Sequence, residues 1–261
     1  MLAGILAGMT VQELDTVLRT WFAPEQFGRI DRSMNGLQVG RQDKQVQRLG
    51  TAVDACLETF RRAAEQDVDM LFVHHGLFWG MPIAVTGEHY ARLELLMQQD
   101  IALYAMHLPL DQHLELGNNA VMAQQLGLQD IRPFGRLKGT EIGVRGDLPE
   151  SVGLDEVRER LFGSRENPLG VLPFGTDTIR SVGLISGGAP FEVGQAIEAG
   201  LDLYITGDAN HVVYHMAQEA GINVIFGGHY ATETWGVQAT GRKLADEFGI
   251  EHHFIDVPTG L

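Results

Sequence analysis

The sequence predicts an α/β fold of two similar, interlinked units, each a mostly parallel central sheet flanked by helices. Three observations carry this. Short apolar runs alternate with segments of helical periodicity, the pattern of buried strands and their covering helices. The second half repeats the first: QDVDMLFVHHG aligns with AGLDLYITGDA, placing Asp69 on Asp202 and His74-His75 on Gly207-Asp208. Downstream, QQDIALYAMHLPLD aligns with EAGINVIFGGHYATE, placing His107 and Asp111 on His229 and Glu233. Each half thus carries an apolar strand followed by a histidine and, four residues later, a carboxylate. The expected division is residues 1–130 and 131–261, with a more polar elaboration at about 131–177.

The elements follow in order. Thr10-Val11-Gln12-Glu13 fits a capping box, opening a helix to about Phe22 with Leu14, Val17 and Leu18 on one face. APEQFGRIDRSMNGLQVG is rich in turn residues, with Asn35-Gly36 a turn signal. RLGTAVDA reads as a strand, LETFRRAAEQ as a helix and DMLFVHH as a strand. EHYARLELLMQQ is a helix, IALYAMH a strand and NNAVMAQQLG a short helix. The polar elaboration carries short strands and a helix from about Leu154 to Phe162. IRSVGLISGG, LDLYITGD and INVIFGGH then read as strands. FEVGQAIEAG, ANHVVYHMAQEAG and ATETWGVQATGRKLADEFG read as the helices between and after them.

With 261 residues the chain is long enough to fold on a buried core without staples. No apolar stretch reaches the roughly 18–20 residues of a membrane span. MLAGILAGMTVQELD has no basic leader and runs straight into a helix, so no signal peptide is expected and the expected compartment is the cytoplasm. The single Cys56 excludes a disulfide framework and a cysteine-rich zinc knuckle, so any metal must be held by histidine and carboxylate. A net charge of -15 opposes non-specific binding to nucleic acid.

Two adjacent imidazoles, His74 and His75, at the end of an apolar strand are hard to explain by packing and easy to explain as metal ligands. In open α/β sheets, sites form at the carboxyl ends of strands. Asp111 follows the third strand in a loop stiffened by Pro109; alone it would be an ordinary turn aspartate. His107 could be a ligand, a partner of a ligand or an acid/base. His113 is expected to be exposed. His229 and Glu233 share one face if helix begins near Tyr230. Five candidates, His74, His75, Asp111, His229 and Glu233, are more than one tetrahedral zinc needs and suit two metals sharing a carboxylate bridge. Asp208, His211 and His215 form a further cluster in TGDANHVVYH, which is not HExxH because position 212 is Val. Ser186-Gly187-Gly188 before a helix could cradle phosphate through backbone N–H groups, but lacks the full nucleotide-binding glycine motifs.

MNGLQVG (34–40), VHHG (73–76), MHLPLD (106–111), YITGDANH (204–211) and GGHYATE (227–233) together resemble the NIF3-like family. Its bacterial members are often labelled GTP cyclohydrolase 1 type 2 homologs. The resemblance covers nearly the whole chain and implies that His74, His75, Asp111, His229 and Glu233 ligate a dinuclear metal centre. It also implies assembly as a toroidal homohexamer with sites facing an internal cavity. The family commonly has HTxLD where this chain has His107-Leu108-Pro109-Leu110-Asp111, and the chain lacks the long central insertion of some members.

The functional expectation is a dinuclear metal-dependent hydrolase acting on a small nucleotide-like or phosphorylated substrate. Two divalent ions per chain (zinc, iron or manganese) are expected, with His107 or His211 carrying protons. The alternative is a non-enzymatic metal-binding or metal-handling oligomer that contacts other proteins or nucleotides. A DNA-binding ring is the least favoured reading, given the charge.

Overall fold

The structure, a computed structural model, describes residues 8–163 and 168–261. The apolar stretch 1–7 of the N-terminal reading lies outside the described residues. In chain order the elements are β1 (Met9–Thr10), α1 (Val11–Phe22), β2 (Gly36–Val39), β3 (Gln45–Val46), β4 (Arg48–Asp54), α2 (Leu57–Glu65), β5 (Met70–His75), α3 (Gly87–Gln98), β6 (Ala102–Ala105), α4 (Leu108–Gln112) and α5 (Asn118–Leu126). They continue with β7 (Gln129–Leu137), β8 (Thr140–Gly153), α6 (Leu154–Phe162), β9 (Gly170–Pro173), β10 (Thr178–Ile185), α7 (Val193–Glu198), β11 (Leu203–Thr206), α8 (His211–Ala220), β12 (Asn223–Phe226), α9 (His229–Phe248) and β13 (Glu251–Phe254).

The chain divides into two compact α/β units. One comprises the residues up to Leu110 with Val237–Val257; the other comprises Asp111–Gly236 with Pro258–Leu261. The first therefore includes a C-terminal strand that a division at 130/131 assigns to the second. The cause is pairing: β13 lies parallel to β4, Glu251 opposite Arg48 and Phe254 opposite Thr51.

In the first unit the strand order is β13-β4-β5-β6-β2. β4, β5 and β6 are parallel, and β2 closes the edge antiparallel to β6. Thr10 caps α1 by accepting from Glu13 N (3.2 Å), while Glu13 accepts from Thr10 N (2.7 Å), so the expected capping box forms. The helix buries Leu14, Leu18 and Phe22, and the Phe22 ring lies 6.3 Å from Phe72 of β5. Another core cluster brings Phe60 of α2 and Leu96 of α3 together with Leu71, Val73 and Leu103. GLQV, read from sequence as part of a loop, is the edge strand β2. Four residues bounded by glycines carry too little periodicity to announce a strand.

The second unit has the order β7-β8-β10-β11-β12-β9. β10, β11 and β12 are parallel, with β8 and β9 antiparallel on either side. One core cluster joins α5 and α6 (Met122, Val157, Leu161) to Val182, Leu203 and Ile225; another joins α7 and α8 (Val193, Val213, Ala217) to Tyr204 and Val224. The short strands expected in the polar elaboration include the long hairpin β7–β8, and its helix spans Leu154–Phe162 as expected.

The aligned aspartates do the same job in each unit. Asp69 Oδ2 accepts from the backbone of Gln47 (2.9 Å) and Arg48 (3.0 Å) at the start of β4. Asp202 Oδ2 accepts from Arg180 (2.9 Å) and Ser181 (2.8 Å) in β10. Each carboxylate just before the second parallel strand thus clamps the first, as expected of a duplicated unit. Asp69→Ala and Asp202→Ala should each destabilise the protein by about 1–3 kcal/mol, since each orphans two backbone donors. Calorimetric unfolding checks this; unchanged melting in both variants would remove the clamp.

Candidate functional site

His74 and His75 are the last residues of β5, and His107 follows β6. The three rings gather at the carboxyl ends of neighbouring parallel strands, with centroids 4.7 Å (His74–His75), 5.1 Å (His74–His107) and 5.6 Å (His75–His107) apart. One ring nitrogen from each lies within 4.8 Å of the others, a group able to hold a metal ion. Gly76 is required here for space rather than for a left-handed turn. A Cβ there would meet Gln38 Nε2 at 2.4 Å and Ala105 Cβ at 2.6 Å. Gln38 Oε1 in turn accepts from Leu77 N at 2.7 Å, which holds the chain as it leaves β5.

Each ring is anchored through Nδ1. His74 Nδ1 donates to the Met106 carbonyl (3.0 Å), His75 Nδ1 to Asp54 (2.8 Å) and His107 Nδ1 to Asp31 (2.9 Å). Carbonyl and carboxylate oxygens only accept, so each Nδ1 carries a proton and a neutral ring presents the Nε2 lone pair. Asp31 is itself held by Ser33 N (2.8 Å), Asn35 Nδ2 (2.9 Å) and Leu108 N (3.1 Å). Burial works to raise its carboxyl, but the bonds from His107, Asn35 and Ser33 outweigh that and leave it below its ordinary value. Trp79 stands beside the cluster, its ring 4.9 Å from His107 and 6.0 Å from His75, with Nε1 donating to Gly76 O (3.0 Å).

In the second unit His229 is the first residue of α9, which begins one residue earlier than expected from sequence, and Glu233 lies one turn on. His229 Nδ1 donates to Asp208 (2.9 Å), repeating the anchor, and Nε2 lies 3.3 Å from Glu233 Oε1. Glu233, buried and beside the ring, is the main cause that pushes His229 up from 6.5 to about 9; Asp208 adds to it and burial opposes it. In metal-free protein the protonated ring therefore stabilises this unit. That contribution is complete below about pH 6.5 and is lost as pH rises through about 9.

Asp111 departs from the loop expectation. It lies in the short helix α4, where Pro109 occupies the first turn, a position that tolerates the missing N–H. Its Oδ1 accepts from Asn118 Nδ2 and Ser186 Oγ, both at 2.9 Å. Ser186 links it to the turn beside Glu233. Gly187 has φ +64°, and a Cβ there would meet Glu233 Oε1 at 2.1 Å. Two of the three backbone donors of this turn are already used, Ser186 N on Asn119 Oδ1 (2.7 Å) and Gly187 N on Thr232 Oγ1 (3.0 Å), so these two are not available to cradle a phosphate.

His211 and His215 are exposed on α8, their rings 6.4 Å apart, and belong to no metal-capable group among the described residues. His113 is half-buried rather than exposed, and its Nδ1 accepts from the backbone of Glu115 (3.2 Å) and Leu116 (3.0 Å) as a turn cap. Sequence reasoning missed Asp31, Asp54, Trp79 and Asn118, and read Ser186 as part of a phosphate-binding turn rather than as a partner of Asp111. Asp54 carried a signal, an aspartate ending an apolar strand; Asn118 read only as a helix start.

Two α/β units with histidines and carboxylates at the strand tips define a duplicated scaffold equipped with metal-capable side chains. The chain belongs to the Duf34/NIF3 (NGG1p interacting factor 3) family, whose pattern matches residues 9–260. It is similar to the GTP cyclohydrolase 1 type 2 homolog of Treponema pallidum, 41% identical over 97% of this chain and 100% of the relative. The homolog of Deinococcus radiodurans is 45% identical over 88% of each chain. Among solved structures, TTHA1606 of Thermus thermophilus superposes with a TM-score of 0.87 at 42% identity, covering 97% of this chain and all of that one.

Gly187→Ala should lower the melting temperature and displace the Glu233 carboxylate. In metal-free protein the His229 imidazole should then titrate below its present value of about 9, as followed by NMR. An unchanged titration would show that Glu233 does not set it.

Proposed function

We propose that the chain is a dinuclear metal-dependent hydrolase acting on a small nucleotide-like or phosphorylated molecule, with His74, His75, Asp111, His229 and Glu233 as its ligands. The observation that carries this reading is the shared anchoring of His74, His75 and His229 through Nδ1, which aims Nε2 as a ligand atom. The donor set fits a hard or borderline divalent ion, with imidazole nitrogen and carboxylate oxygen and no thiolate. Two such ions, as zinc, iron or manganese, would supply Lewis acidity and activation of water.

The chain's own residues do the rest. Asp54, Asp208 and the Met106 carbonyl orient the ligand rings; Asn118 and Ser186 orient Asp111. His107, held by Asp31, is placed to accept or give a proton at Nε2, and His211 on α8 is the second candidate for that role. Trp79 offers a flat face beside His107 that suits a planar heterocycle. The label carried by the relatives, GTP cyclohydrolase 1 type 2 homolog, agrees with a nucleotide-like substrate. Assembly as a homohexamer in the cytoplasm completes the proposal, and light scattering at six chain masses would support it.

Glu233→Ala should lower bound metal by at least one ion per chain, read by elemental analysis after metal loading. Asp111→Ala should abolish metal-dependent turnover of nucleotides or phosphoesters. Unchanged metal content in both variants would overturn the ligand set. Full metal content in the parent protein without turnover would replace the hydrolase with a metal-handling protein. Because Glu233 keeps His229 protonated, metal uptake at pH 7.5 should release protons, seen as a dependence of the calorimetric heat on the buffer's ionisation enthalpy.

A further inference from the structure

The β7–β8 hairpin of the second unit packs beside α7, and between them lies a cavity of about 360 Å³ lined by Phe134, Arg136, Glu141, Arg145, Gln195 and Glu198, among others. Its volume is that of a small-molecule site. Antiparallel register places Arg132 opposite Arg145 and Arg136 opposite Glu141, so these side chains share one face of the hairpin. Three arginines on one hairpin face stand out in a chain of net charge -15.

The charges there are unevenly matched. Arg136 has Glu141 at 3.6 Å, and its backbone is pinned by Gln195, whose Oε1 accepts from Arg136 N (2.7 Å) and whose Nε2 donates to Arg136 O (3.2 Å). Arg145 has no carboxylate within ion-pair distance among the described residues. Its Nε is buried and lacks an acceptor. Arg145 itself is half-buried, and a buried Nε without an acceptor is unfavourable unless something supplies an oxygen. Its planar fork matches a carboxylate or phosphate in two-point contact. Phe134 and Pro133 add an apolar wall.

We propose that this cavity is a binding site for a small molecule carrying one oxyanion group, carboxylate or phosphate, held by the Arg145 guanidinium with Arg136 beside it. Exposed Glu198 and half-buried Glu141 oppose a polyanion and favour a ligand whose remaining groups are neutral or cationic. The site shares no residue with the His229–Glu233 pair and does not rest on the metal reading.

The test uses chelator-treated full-length protein, so that metals cannot bind the probes. Inorganic phosphate and acetate are titrated separately at constant ionic strength against chloride, and the rise in melting temperature gives the apparent affinity. One probe should stabilise the wild-type protein saturably, and which one does identifies the oxyanion. Arg145→Ala should weaken that response about tenfold or more. Arg145→Lys, which keeps the charge and loses the fork, should fall between, and carries the test if the alanine variant does not fold by circular dichroism. Equal responses in wild type and both variants, or no response in wild type, would overturn the proposal. A wild type without anion response and a reduced light-scattering mass for Arg145→Ala would instead place these arginines in a contact between copies.

Discussion

The hydrogen bond from an imidazole Nδ1 to a fixed oxygen organises this molecule's functional chemistry. A histidine ring can rotate, flip and exchange tautomers. At His74, His75, His107 and His229 all three freedoms are removed by one short bond, to Met106 O, Asp54, Asp31 and Asp208 respectively. Each bond fixes the proton on Nδ1 and points Nε2 away from the acceptor. Residues far apart in sequence are needed for this: Asp31 and His107 are 76 positions apart, and Asp54 and His75 are 21.

The duplicated scaffold explains how such bonds are made twice. Parallel strands end on one side of each sheet, so residues just past their tips are neighbours by topology. Asp69 and Asp202 set the register by clamping the first parallel strand to the second, and the residue that ends or follows each second strand then falls in the same place. In the first unit that place holds His75; in the second it holds Asp208, which turns to anchor His229 instead. One architectural position thus holds a candidate ligand in one copy and the support of a candidate ligand in the other. Such divergence is what duplication of a unit permits, since each copy can change its tip residues while keeping its strands.

Much of this was readable from residue order. The apolar runs ending at His75 and Thr206 are buried on both faces and lack alternation, which is why they announced parallel strands. The capping box at Thr10 marked α1 because both of its bonds are local. What escaped was non-local or too short. β2 and β13 have four residues each and exist because β6 and β4 offer edges to them. Asp31 sits in a loop whose sequence speaks only of turns, and its role appears when Asn35, Leu108 and His107 close around it. Pro109 suggested a stiff loop, whereas its fixed φ begins the helix that carries Asp111. The need for Gly76 likewise arises from Gln38 and Ala105, residues that only the folded sheet brings near.

Anomalous scattering from crystals of metal-loaded protein tests the proposed dinuclear centre most directly. Two peaks about 3.5–4 Å apart are expected. They should be contacted by Nε2 of His74, His75 and His229 and by the carboxylates of Asp111 and Glu233, with each ligating ring still bonded through Nδ1 to its oxygen. A single peak, or metal bound through Nδ1 with those anchors broken, would contradict it.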